Sequence, residues 1–209
     1  MNIRVQKSNF QFMSAKKNSI KDKIINIATR IFSKFGFKKT TVDDIAQALG
    51  KGKSSIYYYF KSKEEIFKAV IDKEAEDLKK EIETKVINAE MHPKEKLRNY
   101  VLLRMRFMKN FVNFNEALRN DYLKNLSFVE EIREEYDKEE HQTIENILKE
   151  GEEKKVFSLK ERELTAMAIV TAMKGLEVPL FIKNDYPMEH LKSRVDGLLD
   201  ILFYGIVNQ

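Results

Sequence analysis

Two glycines, Gly50 and Gly52, interrupt a helical pattern within residues 41–63, whose sequence is TVDDIAQALGKGKSSIYYYFKSK. Before them, Thr41 and Asp44 form a capping-box pattern, which predicts the start of a helix. The apolar residues of that helix recur on one face, at Val42, Ile45, Ala46 and Leu49. Because glycine allows a tight bend, the segment predicts two short helices crossed at a steep angle.

A third helix just upstream offers a surface on which that pair can pack. Residues 19–36 carry one apolar stripe, formed by Ile20, Ile24, Ile27, Ala28, Ile31, Phe32 and Phe35. Gly36 follows and is expected to end this helix. The short helices offer a matching apolar set, formed by Ile45, Ala46, Leu49, Ile56 and Phe60. We expect Tyr57 to pack inward beside this set, which completes a small three-helix domain.

The rest of the chain is also predicted to be helical. Only 7 glycines and 3 prolines occur in 209 residues, and no long stretch alternates apolar with polar residues, so an all-α fold is favoured. About nine helices are expected, at residues 19–36, 41–49, 53–59, 63–88, 93–110, 114–124, 128–152, 161–182 and 188–207. We divide the chain into a flexible basic leader at 1–18, a small domain at 19–63 and a larger domain at 64–209.

Charge divides the chain in the same place. Residues 1–63 hold 14 lysines and arginines against 3 acidic residues, a net charge of +11, whereas the whole chain carries +5. The remaining residues therefore carry a net charge of −6. A basic end on an otherwise acidic protein predicts a polyanionic partner, such as double-stranded DNA.

The second short helix is the candidate surface for contacts with double-stranded DNA. Its first residues are small or basic, so that their side chains can reach base edges, and they are Lys53, Ser54 and Ser55. Hydroxyl and ammonium groups around them suit phosphate oxygens, and these groups belong to Thr41, Lys51, Tyr58, Tyr59 and Lys63. The layout predicts a helix placed end-on in a DNA groove.

Other chemistries find less support in the sequence. The run GKGKSS resembles a phosphate-binding P-loop, but that motif needs glycine where Gln47 stands, and no strand is predicted before it. Cysteine is absent, and His92, His141 and His190 are far apart, so we expect no disulfide, no metal site and no cofactor. No nucleophile–base pair is evident, so catalysis is not expected.

The segment around the two glycines resembles the TetR family of bacterial transcriptional regulators. The likeness covers residues 19–70, and its matched positions are Thr41, Val42, Ile45, Ala46, Gly50, Ser55 (for the family's Thr), Ile56, Tyr57, Tyr59, Phe60, Ser62, Lys63, Glu64 and Ile66. The chain departs from the pattern at Lys51, where an apolar residue is usual. It departs again at Gly52, which replaces a serine cap, and at Ser54, which replaces a common glycine.

The resemblance implies a C-terminal domain that binds a small-molecule effector and forms a homodimer through its last two helices. Large, adaptable side chains are candidates for the effector pocket, and they are Met105, Met108, Phe111, Tyr122, Phe128 and Tyr136. Ordinary core packing is an equal alternative for each of them. The candidate dimer interface consists of Met167, Ala168, Thr171, Ala172, Gly175, Val195, Leu198, Leu199 and Leu202.

We therefore expect a cytoplasmic transcriptional repressor that an apolar or amphipathic effector releases from a palindromic operator. Two alternatives stay open within the same class, an activator and a regulator that answers to another protein. A third is a helical interaction protein whose basic end binds a membrane surface or an acidic partner. No apolar run approaches the roughly 20 residues of a membrane helix, so no membrane insertion is expected.

Overall fold

The computed structural model describes residues 3–110, 112–113, 127–177 and 188–204. These residues form helices joined by short loops, which confirms the predicted all-α class. The helices are α1 (Ile3–Lys39), α2 (Val42–Ala48), α3 (Lys53–Tyr57), α4 (Lys63–Ile82), α5 (Pro93–Asn110), α6 (Ser127–Glu153), α7 (Arg162–Glu177) and α8 (Met188–Tyr204). A π-helical turn at Glu83–Ile87 extends α4. In this described part of the chain, no helix is long and apolar enough to cross a bilayer.

The chain forms two compact units, Met1–Glu74 and Ala75–Gln209. The division falls later than the predicted boundary at residue 63, because the first turns of α4 belong to the core of the N-terminal unit. Ile66, Phe67 and Val70 are completely buried there.

An aromatic cluster lies in the core of the N-terminal unit. The rings of Phe32, Phe37 and Phe67 pack with centroids 4.7 to 5.9 Å apart. Ile45 of α2 and Ile56 of α3 are buried in the same unit. The apolar stripe of α1 and the matching set of the short helices therefore meet as the sequence predicted.

The first helix differs from its prediction at one end and agrees at the other. The backbone of residues 3–18, predicted as a flexible leader, continues α1, because this stretch contains neither glycine nor proline to interrupt a helix. At the other end, Gly36 takes a φ of 77° and a ψ of 160°, which glycine adopts without steric cost. Gly36 thus interrupts the helix where the sequence predicted a stop.

The C-terminal unit is built on α5, which packs against α6, α7, α8 and the π-helical turn. Its core is largely aliphatic and includes Leu97, Val101, Ile144, Ile147, Ile169 and Val170. Arg98 of α5 forms a bidentate ion pair with Asp196 of α8, at N–O distances of 2.6 and 2.8 Å. Lys96 donates from its Nζ to the carbonyl of Ile87 at 3.1 Å and to Glu150 of α6 at 2.8 Å. These contacts connect α5 to α8, to α6 and to the π-helical turn.

Most predicted helix boundaries agree with the structure. Pro93 begins α5, since its fixed φ suits the first turn of a helix. Ser62 caps α4, accepting the N–H of Glu65 at 3.2 Å. The helix predicted at 114–124 lies outside the described residues.

Candidate nucleic-acid interface

The turn between α2 and α3 is a Schellman motif. The N–H of Lys51 donates to the carbonyl of Ala46 at 2.9 Å, and the N–H of Gly50 donates to that of Gln47 at 3.0 Å. Gly50 takes a φ of 64°, in the left-handed region that other residues disfavour. An apolar residue usually follows in this motif, but here Lys51 follows and is exposed. The departure from the family pattern therefore places a cation on the surface of the turn.

Thr41 and Asp44 form the predicted capping box at the start of α2. The Thr41 hydroxyl donates to Asp44 Oδ2 at 2.7 Å and accepts the Asp44 N–H at 3.2 Å, while the Thr41 N–H donates to the same carboxylate at 2.8 Å. The hydrogen bond from the Thr41 side chain, followed by that from its backbone, lowers the pKa of Asp44. Because both donors of Thr41 serve this cap, a phosphate contact from Thr41 requires one of them to be shared.

α3 is held by a small apolar anchor and exposes the rest of its surface. Ile56 and Phe60 are 1% and 2% exposed. Gly52 occupies the N-cap position without a side-chain hydrogen bond, as its lack of a side chain dictates. The predicted base-reading residues are all exposed, and they are Lys53, Ser54 and Ser55.

The three consecutive tyrosines all reach the surface to different extents. Tyr58 is 68% exposed and Tyr57 is 45% exposed, whereas Tyr59 is half-buried. The rings of Tyr58 and Tyr59 meet edge to face at 5.0 Å. The prediction that Tyr57 packs inward is wrong. Ile56 and Phe60 define the inner face, and the next residue along a helix is rotated from Ile56 by about 100°.

Two lysines predicted to meet DNA already have partners within the N-terminal unit. Lys53 Nζ lies 2.8 Å from Asp43 Oδ2, and this hydrogen bond raises the pKa of Lys53. Lys63 Nζ donates to the carbonyls of Phe37 and Thr40 at 2.9 and 3.0 Å. Lys53 is exposed and can exchange its partner, whereas Lys63 is half-buried and joins the end of α1 to the start of α4.

An open cleft between α1 and α2 was not apparent from the sequence. Its volume is about 480 Å³, and it is lined by Ile31, Phe35, Lys39, Thr40, Asp44, Gln47 and Ala48. Phe35 was assigned to the buried stripe but is 53% exposed. The helix is interrupted at the following residue, and Phe37 takes the inner position against Phe32 instead.

The surface of α2, the turn and α3 therefore presents hydroxyl and ammonium groups above a buried apolar anchor. Hydroxyl donors and cations suit phosphate oxygens, and small polar side chains at a helix start suit base edges. The structure brings Lys51, Ser54, Ser55 and Tyr58 to this surface and adds Tyr57. The sequence does contain a signal for the exposure of Tyr57. Ile56 and Phe60 are four residues apart and therefore mark the buried face, and Tyr57 lies off that face.

The predicted effector residues are distributed unevenly in the C-terminal unit. Met105 is completely buried in its core, and Phe128 and Tyr136 of α6 are half-buried. Met108 belongs to α5, but its side chain is not described, and Phe111 and Tyr122 lie outside the described residues.

The predicted dimer residues divide into two groups. Exposed or half-exposed positions are Met167, Ala168, Thr171, Ala172, Gly175, Leu198 and Leu202. Val195 and Leu199, by contrast, are 0% and 2% exposed within their own unit. These two were assigned wrongly to the interface, because the face of α8 that carries them packs against α5.

Comparison with known proteins places this geometry in a family. The profile of the bacterial regulatory proteins of the tetR family matches residues 24–70. The biofilm operon icaADBC HTH-type negative transcriptional regulator IcaR of Staphylococcus epidermidis is 42% identical over 53 residues, which are 25% of this chain and 29% of that protein. The chain thus aligns with less than a third of the length of such curated relatives.

Solved structures extend the likeness to most of the chain. A transcriptional regulator from Cytophaga hutchinsonii aligns with a TM-score of 0.71 and 30% identity, over 84% of this chain and 94% of that one. FadR from Bacillus subtilis, solved in complex with stearoyl-CoA, aligns with a TM-score of 0.70 over 88% of this chain and 98% of that one. Its identity of 23% shows a common fold alone. The chain therefore belongs to the TetR family of bacterial transcriptional regulators, as these similarities and the capped helix, glycine turn and exposed second helix together indicate.

Proposed function

We propose that this protein is a transcriptional repressor that binds double-stranded DNA as a homodimer and is released by a small amphipathic effector. The observation that carries the proposal is the surface of α3. Its polar and aromatic residues are exposed, whereas Ile56 and Phe60 anchor the helix in the core. A short helix whose inner face is packed in the core in this way can enter a major groove without unfolding.

Contacts with DNA are divided between bases and phosphates in this proposal. Ser54 and Ser55 read base edges, and Lys53 joins them after exchanging Asp43 for the nucleic acid. Lys51 and Tyr58 contact phosphates, together with Tyr57. Phosphate contacts release counterions, so binding should weaken steeply as salt concentration rises.

Fluorescence anisotropy on the DNA that flanks the protein's own gene tests this part of the proposal. Tyr58→Phe should weaken binding to all sequences by a similar factor, since it removes a phosphate contact. Tyr204→Phe is the matched control, because Tyr204 is 64% exposed but lies in α8. Affinity that does not change between 50 and 200 mM salt, or an equal loss in both variants, would reject the assignment of α3.

The homodimer is supported by apolar surface on α7 and α8. Leu164, Met167 and Ile201 are 51%, 48% and 53% exposed. Gly175 is exposed and no atom lies within 4 Å of the position that a side chain would take there, so its own unit does not require glycine. Small residues at 168, 171 and 175 would let a helix of a second copy approach closely. Two recognition helices would then face a palindromic operator.

Sedimentation of charged variants tests the dimer. Met167→Glu should convert the protein to a monomer, because it places a carboxylate in an apolar interface. Ile87→Glu is the matched control, since Ile87 is 37% exposed at the π-helical turn. A Met167→Glu variant that stays dimeric would exclude this face.

The effector is proposed to be a long acyl compound. FadR from Bacillus subtilis was solved with stearoyl-CoA, and the present chain shares its fold. The C-terminal unit buries Met105 and Phe107, and Tyr136 of the same unit is partly buried, which suits an apolar chain with a polar end. α4 begins in one unit and ends in the other, so a shift of this helix is the proposed route from effector to DNA. Release of operator DNA by stearoyl-CoA, but not by coenzyme A, tests this part.

In vitro transcription distinguishes repression from activation. A repressor lowers transcript yield from a promoter that overlaps the operator, and the effector restores it. An increase in yield on adding the protein would assign it as an activator instead.

A further inference from the structure

An apolar row on α1 remains partly open to solvent in the N-terminal unit. Ile27, Ile31 and Phe35 recur at a spacing of four residues, which places them along one edge of the helix. Ile27 and Ile31 are half-buried, and Phe35 is 53% exposed. The core does not need the Phe35 ring, because Phe37 packs against Phe32 in its place. A large apolar side chain is therefore left free at the end of the row.

The open cleft between α1 and α2 lies beside this row. Ile31 and Phe35 line it from α1, and the exposed Gln47 and Ala48 line it from α2. Pockets for small molecules usually enclose about 70 to 90% of their ligand, whereas this cleft of about 480 Å³ is open to solvent. An open groove between two helices, with an apolar wall, instead suits the apolar face of a third helix.

The rim of the cleft on α1 is basic. Lys39 lines the cleft, and the Lys34 ammonium lies 5.1 Å from the centroid of the Phe35 ring. Arg30 lies one turn before Lys34 on the same helix, and all three cations are exposed. Their side chains form no ion pair or hydrogen bond with the part of the chain that the structure describes. These cations are therefore available to another molecule.

The carboxylates of α2, by contrast, are engaged within the N-terminal unit. Asp43 pairs with Lys53 at 2.8 Å. Asp44 lines the cleft, but its Oδ2 accepts two hydrogen bonds from Thr41, at 2.7 and 2.8 Å. The three cations on α1 exceed the single charge of Asp44, so the cleft favours an anionic partner.

From the shape and charge of this cleft, we infer that it is a docking site for an acidic amphipathic helix of a partner protein. Apolar side chains of the partner helix enter the cleft against Ile31 and Phe35. Its carboxylates pair with Arg30, Lys34 and Lys39. The regulator then answers to a protein through its N-terminal unit. The inference depends on neither the proposed DNA contacts nor the proposed effector.

Fluorescence anisotropy with a labelled synthetic helix tests the inference on the full-length protein. In the probe, leucines recur at i, i+3, i+4 and i+7 among glutamates, and an isomer of the same composition distributes its leucines around the helix. The probe should bind at least about tenfold more tightly than the isomer. Equal affinities, or no binding of the probe below about 1 mM, would overturn the inference.

Phe35→Ser shows whether the probe occupies the cleft. This variant removes the aromatic wall of an exposed site, so it should fold and bind the probe at least about tenfold more weakly. Ile87→Ser is the matched control, because Ile87 is 37% exposed in the C-terminal unit. Unchanged affinity in Phe35→Ser, or the same loss in both variants, would exclude the cleft as the docking site.

DNA is the other polyanion that could cover this basic surface. The predicted base-reading residues Lys53, Ser54 and Ser55 do not line the cleft, so Phe35→Ser should bind operator DNA within about twofold of the wild type. A loss of DNA affinity as large as the loss of probe affinity would assign the cleft to the DNA surface and overturn the inference.

Reversing the charge of the rim keeps the test open if Phe35→Ser does not fold. The double variant Lys34→Glu, Lys39→Glu should bind the acidic probe at least about tenfold more weakly, and a probe with lysine in place of glutamate correspondingly more tightly. The double variant Lys155→Glu, Lys160→Glu is the control, since it makes the same change of net charge at exposed positions of the C-terminal unit. An equal switch in both double variants, or none in the first, would overturn the inference.

Discussion

The sequence and the structure assign different roles to Lys63, and replacing it with methionine distinguishes between them. The sequence predicts a phosphate contact. In the structure, the Lys63 ammonium donates to two carbonyls, those of Phe37 and Thr40, and lies 4.3 Å from the centroid of the Phe37 ring. We expect Lys63 to act mainly as a structural link between α1 and α4.

The magnitude follows from the contacts that the substitution removes. A hydrogen bond from a charged donor contributes about 1.5 to 3 kcal/mol, and a cation–π contact contributes about 0.5 to 1 kcal/mol. Because Lys63 is half-buried, water replaces part of what is lost, and the lower limits apply. Two hydrogen bonds at about 1.5 kcal/mol each and one cation–π contact at about 0.5 kcal/mol make up the loss, so Lys63→Met should reduce the free energy of unfolding of the N-terminal unit by about 3.5 kcal/mol.

Urea unfolding followed by circular dichroism measures this loss, since the chain contains no tryptophan. Hydrogen exchange assigns the transition to the N-terminal unit. Lys61→Met is the matched control, because Lys61 is an exposed lysine two residues away and should change stability by less than about 0.5 kcal/mol. The salt dependence of operator binding completes the experiment. The reasoning is refuted if Lys63→Met leaves stability unchanged and lowers the log–log salt slope by about 0.9, the value for one lost phosphate contact.

Three further predictions concern helix ends. A methyl group added at Gly151 would lie 2.0 Å from the Phe157 ring, so Gly151→Ala should destabilise the C-terminal unit by about 1 to 3 kcal/mol in thermal melts. Lys155 follows the end of α6 and has a φ of 56°, a left-handed conformation that glycine adopts without steric cost. Lys155→Gly should therefore raise the free energy of unfolding of the C-terminal unit by about 1 kcal/mol, and a decrease would contradict this. The pKa of Asp44 is lowered from 3.8 by Thr41, so the α2 cap is fully present above about pH 4 and is lost as pH falls through the folded pKa. Amide chemical shifts of α2 should show that loss, and Asp44→Asn should show no such titration.

Several local features of the chain were predictable from the sequence because their causes are local. The Thr41–Asp44 capping box, the Gly50 turn and the Pro93 helix start depend on residues at most a few positions apart. Backbone geometry alone links these residues, so their types and spacing are sufficient.

Side-chain partners were less predictable. Lys63 lies 26 residues from Phe37, and Arg104 lies 36 residues from Glu140, its ion-pair partner, so no local sequence pattern predicts either contact. Tyr57 was placed inside because it neighbours Ile56 and Phe60, and Phe35 because it continues the apolar stripe of residues 19–36. Their exposure depends on which face of a helix meets its neighbours.

The sequence by itself determined the helical class, the helix-turn-helix segment, the caps and the concentration of positive charge in the first 63 residues. Helix periodicity and glycine geometry act over one or two turns, and composition needs no coordinates at all. Only the tertiary structure decided that Val195 and Leu199 belong to the core of their own unit. It also decided that Arg104 meets Glu140 in an apolar interior. An apolar stripe shows that a helix face is buried, but the packing of distant helices decides what buries it.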